Sequence, residues 1–361
     1  MRKNAIKKIS AILLFVLSLS ACSAKHIDST LPDDDSYFLP KDLPHKKVII
    51  DTDAGADDCA AIILAAKSRN LDILGVTTLA GNVSLEQSAE NVLMALETAG
   101  SDAPVYKGAA AHYDGTQIEA CSVFGTDGMG DAGLIHPVRK AEEKDAVDFI
   151  LESVRANPGE VELVALGPAT NIANAIKKDP DTMKRVKMIW SMGTAGLREG
   201  NASPVAEFNV YLDAPAYKTM LDSDIPITII SLEVCGGDAM WTDEHFKILS
   251  KGNEACRFIT TSFGKIREFY KDNGEESVKN CDTMAMSCVI DPCFIKNSVR
   301  THASCITEPG ECYGQVIFYK EGFVYDFVKN DLPCNVTLVT EINDSHDFDM
   351  FSSIVYYEQN K

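Results

Sequence analysis

The sequence predicts an α/β fold with a mostly parallel central sheet and helices on both faces, in a Rossmann-like layout. Strand-like and helix-like segments alternate along the chain, as is typical of such sheets. The first strand-like segment, Lys47-Val48-Ile49-Ile50, is a nearly continuous apolar, β-branched run, which indicates a strand covered on both faces. Polar clusters directly follow several strands, at the edge of the sheet where ligands bind in this fold class.

Each element is assigned from its hydrophobic pattern and from the turn residues that end it. Short apolar runs bounded by glycine or polar residues predict strands at Lys47–Ile50, Leu71–Thr78, Pro104–Tyr106, Val161–Leu166, Val186–Trp190 and Ile225–Leu232. Longer segments between them predict helices at Cys59–Lys67, Ser84–Ala99, Asp145–Ala156 and Asn171–Lys178.

The first 21 residues have the pattern of a signal peptide. A basic start precedes an apolar run that is too short to span a bilayer permanently. Leu19-Ser20-Ala21-Cys22 resembles a bacterial lipobox, which predicts lipidation at Cys22; an ordinary signal peptide with a chance cysteine is the alternative. Residues 22–45 are rich in Asp and Pro and are typical of a flexible tether. We therefore expect one domain at residues 46–361, on a protein anchored outside the cytoplasmic membrane.

The net charge and the cysteines limit the possible partners. The formal charge is −19, so we expect no nucleic acid partner, because such a surface repels a phosphate backbone. Of the 11 cysteines, ten remain if Cys22 carries the lipid. An exported chain can form disulfides, but their pairing cannot be read from sequence, and several of these cysteines lie in apolar runs typical of packed thiols.

A dense acidic run, Asp51-Thr52-Asp53-Ala54-Gly55-Ala56-Asp57-Asp58, follows the first strand. Carboxylates this close repel one another unless a cation lies between them. Calcium tolerates irregular cages of carboxylate oxygens, and Gly55 permits a tight turn that brings the two ends of the run together. We therefore predict a calcium site here. A solvated acidic loop, or a helix N-terminus with extra acidic residues, is the alternative.

This run resembles the D-x-D-P-G-x-D-D signature of the inosine-uridine nucleoside hydrolase family. Four further segments resemble the later motifs of that family, in the same order. These segments are Thr77–Val83, Leu163–Ala173, the set Met192-Gly193, Glu199-Gly200-Asn201 and Ala206–Asn209, and Cys281-Asp282 with Val289–Pro292.

The resemblance implies a role for each matching position in calcium-dependent hydrolysis of N-ribosides. Asp53, Asp58 and Asp282 would bind calcium together with the main-chain carbonyl of Leu166. Asp53 would also take a proton from the water that attacks the anomeric carbon, and Asp51 would support the site from behind. The substrate would contact Asp57, Asn82, Met192, Asn201, Glu207, Phe208 and Asn209. A buried structural acid at Glu207, and a plain core residue at Met192, are the alternatives.

Three positions depart from the family pattern. Ala54 stands where proline is usual, and we expect this to change only the rigidity of the turn. Cys281 and Phe124 stand where many members carry histidines on the leaving-group side. Neither is a good proton donor, although Phe124 could stack on a base. Tyr270, Asp127 and Cys281 are the candidate replacement acids.

We therefore expect an enzyme that releases ribose and free base from nucleosides, with Ca²⁺ as cofactor. The alternative is a lipid-anchored nucleoside-binding or ribose-binding protein with little or no turnover, which the two missing histidines favour. A surface protein that only retains the fold is a third interpretation. A homo-oligomer is possible, but nothing in the sequence sets its size.

Overall fold

A computed structural model describes residues 43–319, 332–343 and 346–357. The predicted signal peptide, Cys22 and most of the predicted tether lie outside these residues. Within them, no helix is both long and apolar enough to cross a membrane. No disulfide joins the ten cysteines from Cys59 to Cys334 to one another in the described part of the chain.

The strands form one large sheet and one small hairpin. The large sheet has the order β10-β9-β11-β6-β5-β4-β1-β2-β3, and β7 pairs with β8. The pairings from β11 through to β3 are parallel, whereas β9 is antiparallel to both β11 and β10. The predicted mostly parallel sheet is confirmed. The strands are β1 (Lys46–Thr52), β2 (Leu71–Thr78), β3 (Val105–Lys107), β4 (Val161–Ala165), β5 (Met188–Met192), β6 (Ile227–Ile230), β7 (Trp241–Thr242), β8 (Ser277–Val278), β9 (Ile295–Cys305), β10 (Val316–Tyr319) and β11 (Val336–Ile342).

Helices cover both faces of the large sheet. They are α1 (Ala56–Lys67), α2 (Leu85–Ala99), α3 (Cys121–Phe124), α4 (Ala146–Ala156), α5 (Thr170–Lys178), α6 (Pro180–Met183), α7 (Phe208–Leu212), α8 (Ala214–Leu221), α9 (Asp243–Leu249), α10 (Glu254–Ser262), α11 (Gly264–Asp272), α12 (Cys281–Ile290) and α13 (Asp347–Val355). Short 3₁₀ turns lie at Leu232–Cys235, Gly237–Ala239 and Pro292–Phe294.

The two faces of β1 pack into separate hydrophobic clusters. Val48 and Ile50 join the cluster that contains α1, α2 and α12, whereas Ile49 joins the cluster that contains α4, α5 and α8. Successive strand residues point to opposite faces, so a strand between two cores is apolar at every position. This explains why β1 shows no alternation in sequence.

The order of the strands determines where the polar residues meet. β1 lies between β2 and β4, with Asp51 paired to Thr77 on one side and to Ala165 on the other. The loops that follow β1, β2, β4 and β5 therefore all emerge at the carboxyl edge of the sheet.

Candidate active site at the carboxyl edge of the sheet

A cavity of about 490 Å³ opens at the carboxyl edge of the sheet. One side is formed by residues that follow the parallel strands, and the other by α3, α11 and the start of α12. The lining residues are Asp57, Asn82, Ile118, Glu119, Ala120, Ser122, Val123, Phe124, Leu166, Met192, Asn201, Ala202, Glu207, Phe208, Asn209, Tyr211, Leu232, Ile266, Phe269, Tyr270, Lys279, Cys281 and Asp282. Every substrate-contacting residue predicted from the sequence is among them.

The acidic run forms a tight turn between β1 and α1. Asp58, near the start of α1, accepts hydrogen bonds from the Thr52 hydroxyl at 2.5 Å, the Gly55 main-chain N–H at 2.9 Å and the Asn82 amide at 3.1 Å. Asp58 thus caps the helix, which agrees with the helix N-terminus given above as the alternative to a metal site. Because it also belongs to a cluster of carboxylates, helix capping does not account for the whole run.

Ala54 has a left-handed backbone, with φ of 47°. Proline cannot adopt this conformation, because its ring holds φ near −65°. The expectation that Ala54 changes only the rigidity of the turn is therefore wrong: the path of the backbone itself differs from one that contains proline here.

Asp53 is fully buried beneath the turn. Its Oδ2 accepts a hydrogen bond from the main-chain N–H of Asn82 at 2.6 Å, whereas its Oδ1 has no partner among the described residues. A Cβ added at Gly81 or Gly167 would collide with this carboxylate. The two glycines therefore leave just enough room for Asp53 between the loops that follow β2 and β4.

The carboxylates of Asp57, Asp58 and Asp282 form the group that is able to hold a metal ion, with ligand atoms within 4.8 Å of one another. The family resemblance predicts Asp53 in this set and assigns Asp57 to the substrate. In the structure Asp57 joins the cluster, and Asp53 lies close enough to Asp58 for their charges to repel. The assignment of Asp53 to the metal and of Asp57 to the substrate stays a prediction.

Burial and the mutual repulsion of the carboxylates raise the free energy of the cluster when no cation offsets their charge. Burial, and then the charge of Asp58, raise the pKa of Asp57 to about 8. The same two causes raise the pKa values of Asp53 and Asp282 well above the ordinary range. Oδ1 of Asp53 and Oδ1 of Asp57 are buried oxygens with no hydrogen-bond partner in the described chain. A divalent cation with oxygen ligands fits these residues, because it would occupy the free oxygens and offset the repulsion.

Asp51 supports the cluster from behind and does not line the cavity. Its Oδ1 accepts hydrogen bonds from the Thr77 hydroxyl at 2.5 Å and the Asn171 amide at 2.8 Å. Burial raises the pKa of Asp51 to about 7, although both hydrogen bonds oppose this shift. The side chain therefore ties β1 to β2 and α5, where its predicted supporting role would place it.

Two polar side chains at the start of α7 face the cavity beside the carboxylates. Glu207 caps α7 by accepting hydrogen bonds from the main-chain N–H groups of Asn209 and Val210. Asn209 donates to the Leu166 carbonyl at 2.6 Å and lies 3.4 Å from the Met192 sulfur. Burial raises the pKa of Glu207 to about 7. Both the structural and the substrate-binding interpretation of Glu207 are thus compatible with its position.

Asn201 and Phe208 hold the loop that closes this end of the cavity. The Asn201 side chain accepts a hydrogen bond from the Phe208 main-chain N–H at 2.9 Å. Both residues line the cavity, as does Met192 at the end of β5.

The opposite wall is largely aromatic. Helix α11 packs on α3 and brings Ile266, Phe269 and Tyr270 near Phe124. A Cβ added at Gly55 would meet both the Phe124 ring and the Asn82 amide, so Phe124 lies directly over the acidic turn. Flat apolar rings suit a planar leaving group.

The candidate replacement acids separate clearly in the structure. Asp127 does not line the cavity; its side chain accepts hydrogen bonds from the Met129 and Asp131 main-chain N–H groups. Tyr270 and Cys281 do line it. A hydrogen bond to Cys235, and then burial, raise the pKa of the Cys281 thiol; burial and then the charge of Cys281 raise the pKa of Tyr270. No histidine is among the cavity-lining residues of the described chain.

Several cavity residues were missed in the sequence analysis. Ile266 and Phe269 follow no strand, Lys279 follows only the two-residue strand β8, and none of the three matches a quoted motif, so no local signal pointed to them. They reach the cavity only because α11 and the start of α12 pack over the edge of the sheet.

Comparison with known proteins gives four relevant matches. Residues 48–349 match the family described as inosine-uridine preferring nucleoside hydrolase. Uridine nucleosidase 1 of Arabidopsis thaliana is 36% identical over 279 residues, which cover 76% of this chain and 82% of that protein. An uncharacterised protein of Schizosaccharomyces pombe is 43% identical over 190 residues, which cover 52% of this chain and 61% of that protein. A solved plant nucleoside hydrolase, the PpNRh1 enzyme, superposes with a TM-score of 0.81 at 28% identity, covering 87% of this chain and 99% of that chain.

Proposed function

The chain belongs to the inosine-uridine preferring nucleoside hydrolase family, and from this premise we propose that it hydrolyses the N-glycosidic bond of ribonucleosides in a calcium-dependent reaction. The products are ribose and the free base. The observation that carries the proposal is the meeting, in one cavity, of buried carboxylates that have free oxygens with amide and carboxyl groups suited to a sugar diol.

Asp58, Asp282 and the Leu166 carbonyl would hold the cation, with Asp53 or Asp57 completing the protein ligands. When bound, a divalent cation supplies positive charge that offsets the carboxylates and makes a nearby water a better nucleophile. Calcium suits this set better than magnesium, because the carboxylates arise from an irregular turn and not from an octahedral arrangement.

The side chains divide the remaining work. The free Oδ1 of Asp53 accepts the proton of the attacking water. Asn82 and Asn209 donate and accept hydrogen bonds at the ribose hydroxyls, and Glu207 accepts from them. The surrounding carboxylates stabilise the positive charge that develops on the ribosyl ring as the bond breaks.

Uridine is the first substrate to test, because the Arabidopsis relative is a uridine nucleosidase. We propose that the protein meets its nucleosides outside the cytoplasmic membrane, held there by lipid on Cys22. This part of the proposal rests on the N-terminal sequence pattern alone.

A reducing-sugar assay over a panel of ribonucleosides tests the activity. We expect ribose release with calcium, loss of release with excess chelator, and recovery when calcium is restored. Asp53→Asn should abolish turnover while nucleoside binding, measured by calorimetry, persists. A wild-type protein that binds nucleosides with calcium but releases no ribose would support the nucleoside-binding alternative and refute the proposed hydrolysis.

A further inference from the structure

Lys279 is the one cationic side chain among the described residues that line the cavity. It lies between β8 and α12 and is half-buried. The other charged residues of the lining are all acidic: Asp57, Glu119, Glu207 and Asp282. A single positive charge in such a cavity calls for a chemical reason.

The neighbours of Lys279 place it on the aromatic wall. Lys279 lines the cavity together with Tyr270 and Cys281. Its main-chain N–H lowers the pKa of the Tyr270 phenol, and its ammonium charge lowers the pKa of the Cys281 thiol, in both cases against larger raising effects. Tyr270 and Cys281 belong to the side of the cavity that faces a leaving group. Lys279 is therefore positioned toward the base end of a bound riboside.

The chemistry at this end lacks a good acid. When the C1′–N bond breaks, its electron pair moves to the base nitrogen, while the oxygen of water bonds to C1′ and the proton of that water passes to Asp53. The base then departs as an anion unless a proton reaches it. Tyr270 and Cys281 are weak acids, because a phenol and a thiol ordinarily have pKa values of about 10 and 8.5. A fixed cation lowers the energy of an anionic leaving group without any proton transfer.

We propose that Lys279 determines leaving-group specificity, by favouring ribosides whose base departs as an anion over cationic ribosides whose base departs neutral. Uridine represents the first class, and nicotinamide riboside, a pyridinium, represents the second. This inference rests on the hydrolysis proposed above. The departing anion takes up its proton from solvent after release.

The test compares kcat/KM for the two ribosides in wild type, Lys279→Met and Lys279→Arg, all with saturating calcium. Lys279→Met keeps the apolar stem of the side chain and should lower kcat/KM for uridine about 10- to 100-fold. This is less than the usual loss for a buried oxyanion donor, because Lys279 is only half-buried. The loss should fall mainly on kcat. For nicotinamide riboside, kcat/KM should stay level or rise, because the variant no longer repels the pyridinium. Lys279→Arg should keep the wild-type ratio within a few-fold.

Lys271→Met, at an exposed position on α11, is the matched control. It should leave kcat/KM unchanged for both ribosides. An equal loss of kcat/KM for both ribosides in Lys279→Met would show a merely structural role. Any result that leaves the ratio of the two kcat/KM values unchanged would overturn the inference. If Lys279→Met does not fold, the Lys279→Gln variant makes the same comparison. A wild type that cleaves neither riboside refutes the proposed function itself, whereas active wild type with an unaltered ratio in the variants refutes only the role of Lys279.

Discussion

Asp282→Asn should raise the stability of the protein without calcium and reduce its response to calcium. Asp282 lies in the group whose carboxylate oxygens are within 4.8 Å of one another, beside Asp57 and Asp58. Asparagine has nearly the same shape, and its amide is able to donate to Asp58. The substitution therefore removes one negative charge and one metal ligand with little change in packing.

The separation of the charges sets the magnitude. Two unit charges 4.8 Å apart repel by about 3.5 kcal/mol at an effective dielectric constant of about 20. Removing one of three charges abolishes two of the three pairs, so stability without calcium would rise by about 7 kcal/mol if all three carboxylates stayed ionised. The raised pKa values of Asp57 and Asp282 indicate that the cluster takes up protons at pH 7. Each proton removes a charge, so the gain in stability is smaller than this figure.

Calcium stabilises the wild type more than the variant and so narrows the difference between the two proteins. At a concentration of about 1,000 times Kd, calcium stabilises the wild type by about 4.1 kcal/mol. If losing one carboxylate ligand weakens binding about 100-fold, the same concentration stabilises the variant by only about 1.4 kcal/mol. Urea unfolding with calcium and with chelator measures both quantities. Asp272→Asn, an exposed change on α11, is the control and should match the wild type. Unchanged calcium stabilisation in Asp282→Asn, or a loss of stability in chelator, would refute the proposed cation site.

Four further predictions follow from single positions. Ala54→Gly should stabilise the fold by about 1 kcal/mol, because Ala54 has a positive φ, and Ala54→Pro should destabilise it; thermal unfolding measures both. Burial lowers the pKa of His112, which is 4% exposed, so the folded state binds a proton less readily than the unfolded chain. The free energy of unfolding should therefore fall as pH drops through about 6.5, and His112→Gln should flatten this decline in urea titrations at pH 7 and pH 5. A nitrophenyl riboside should exceed inosine in kcat/KM by about 10²–10⁴, and Asp53→Asn should abolish both activities; a ratio near one would reveal an efficient acid on the aromatic wall. Cys22→Ala should move the protein from the membrane fraction to the soluble fraction or block its processing, and acyl-free mature wild-type protein in the soluble fraction would contradict the lipid anchor.

The parallel half of the fold could be predicted because its signals are local. β2 lies at Leu71–Thr78, as predicted, and α2 and α4 each begin one residue after their predicted starts. β5 was placed too early, since Val186 precedes the strand and Met188–Met192 forms it. The apolar character of Val186 reflects burial in the core and not pairing in the sheet.

The carboxyl-terminal elements gave no usable periodicity. Every residue of α12 is buried, so this helix has no polar face to reveal its period. β9 lacks the alternation of a half-buried strand, because five consecutive residues from Lys296 to Arg300 are exposed. Its pairing with β11 depends on a partner far along the chain, which no local pattern shows.

The two walls of the cavity differ in predictability for the same reason. The carboxylate wall arises from residues next to strand ends, so a motif such as Asp51–Asp58 carries both its position and its chemistry in one short segment. The aromatic wall arises where α11 packs against α3, and neither helix shows by itself that Phe124 and Tyr270 face the same space. In the proposed reaction the two walls serve opposite ends of the scissile bond, with Asp53 on the water side and Lys279 on the leaving-group side. Substitutions on α11 or before α12 can therefore change which base departs while the groups that activate water stay in place.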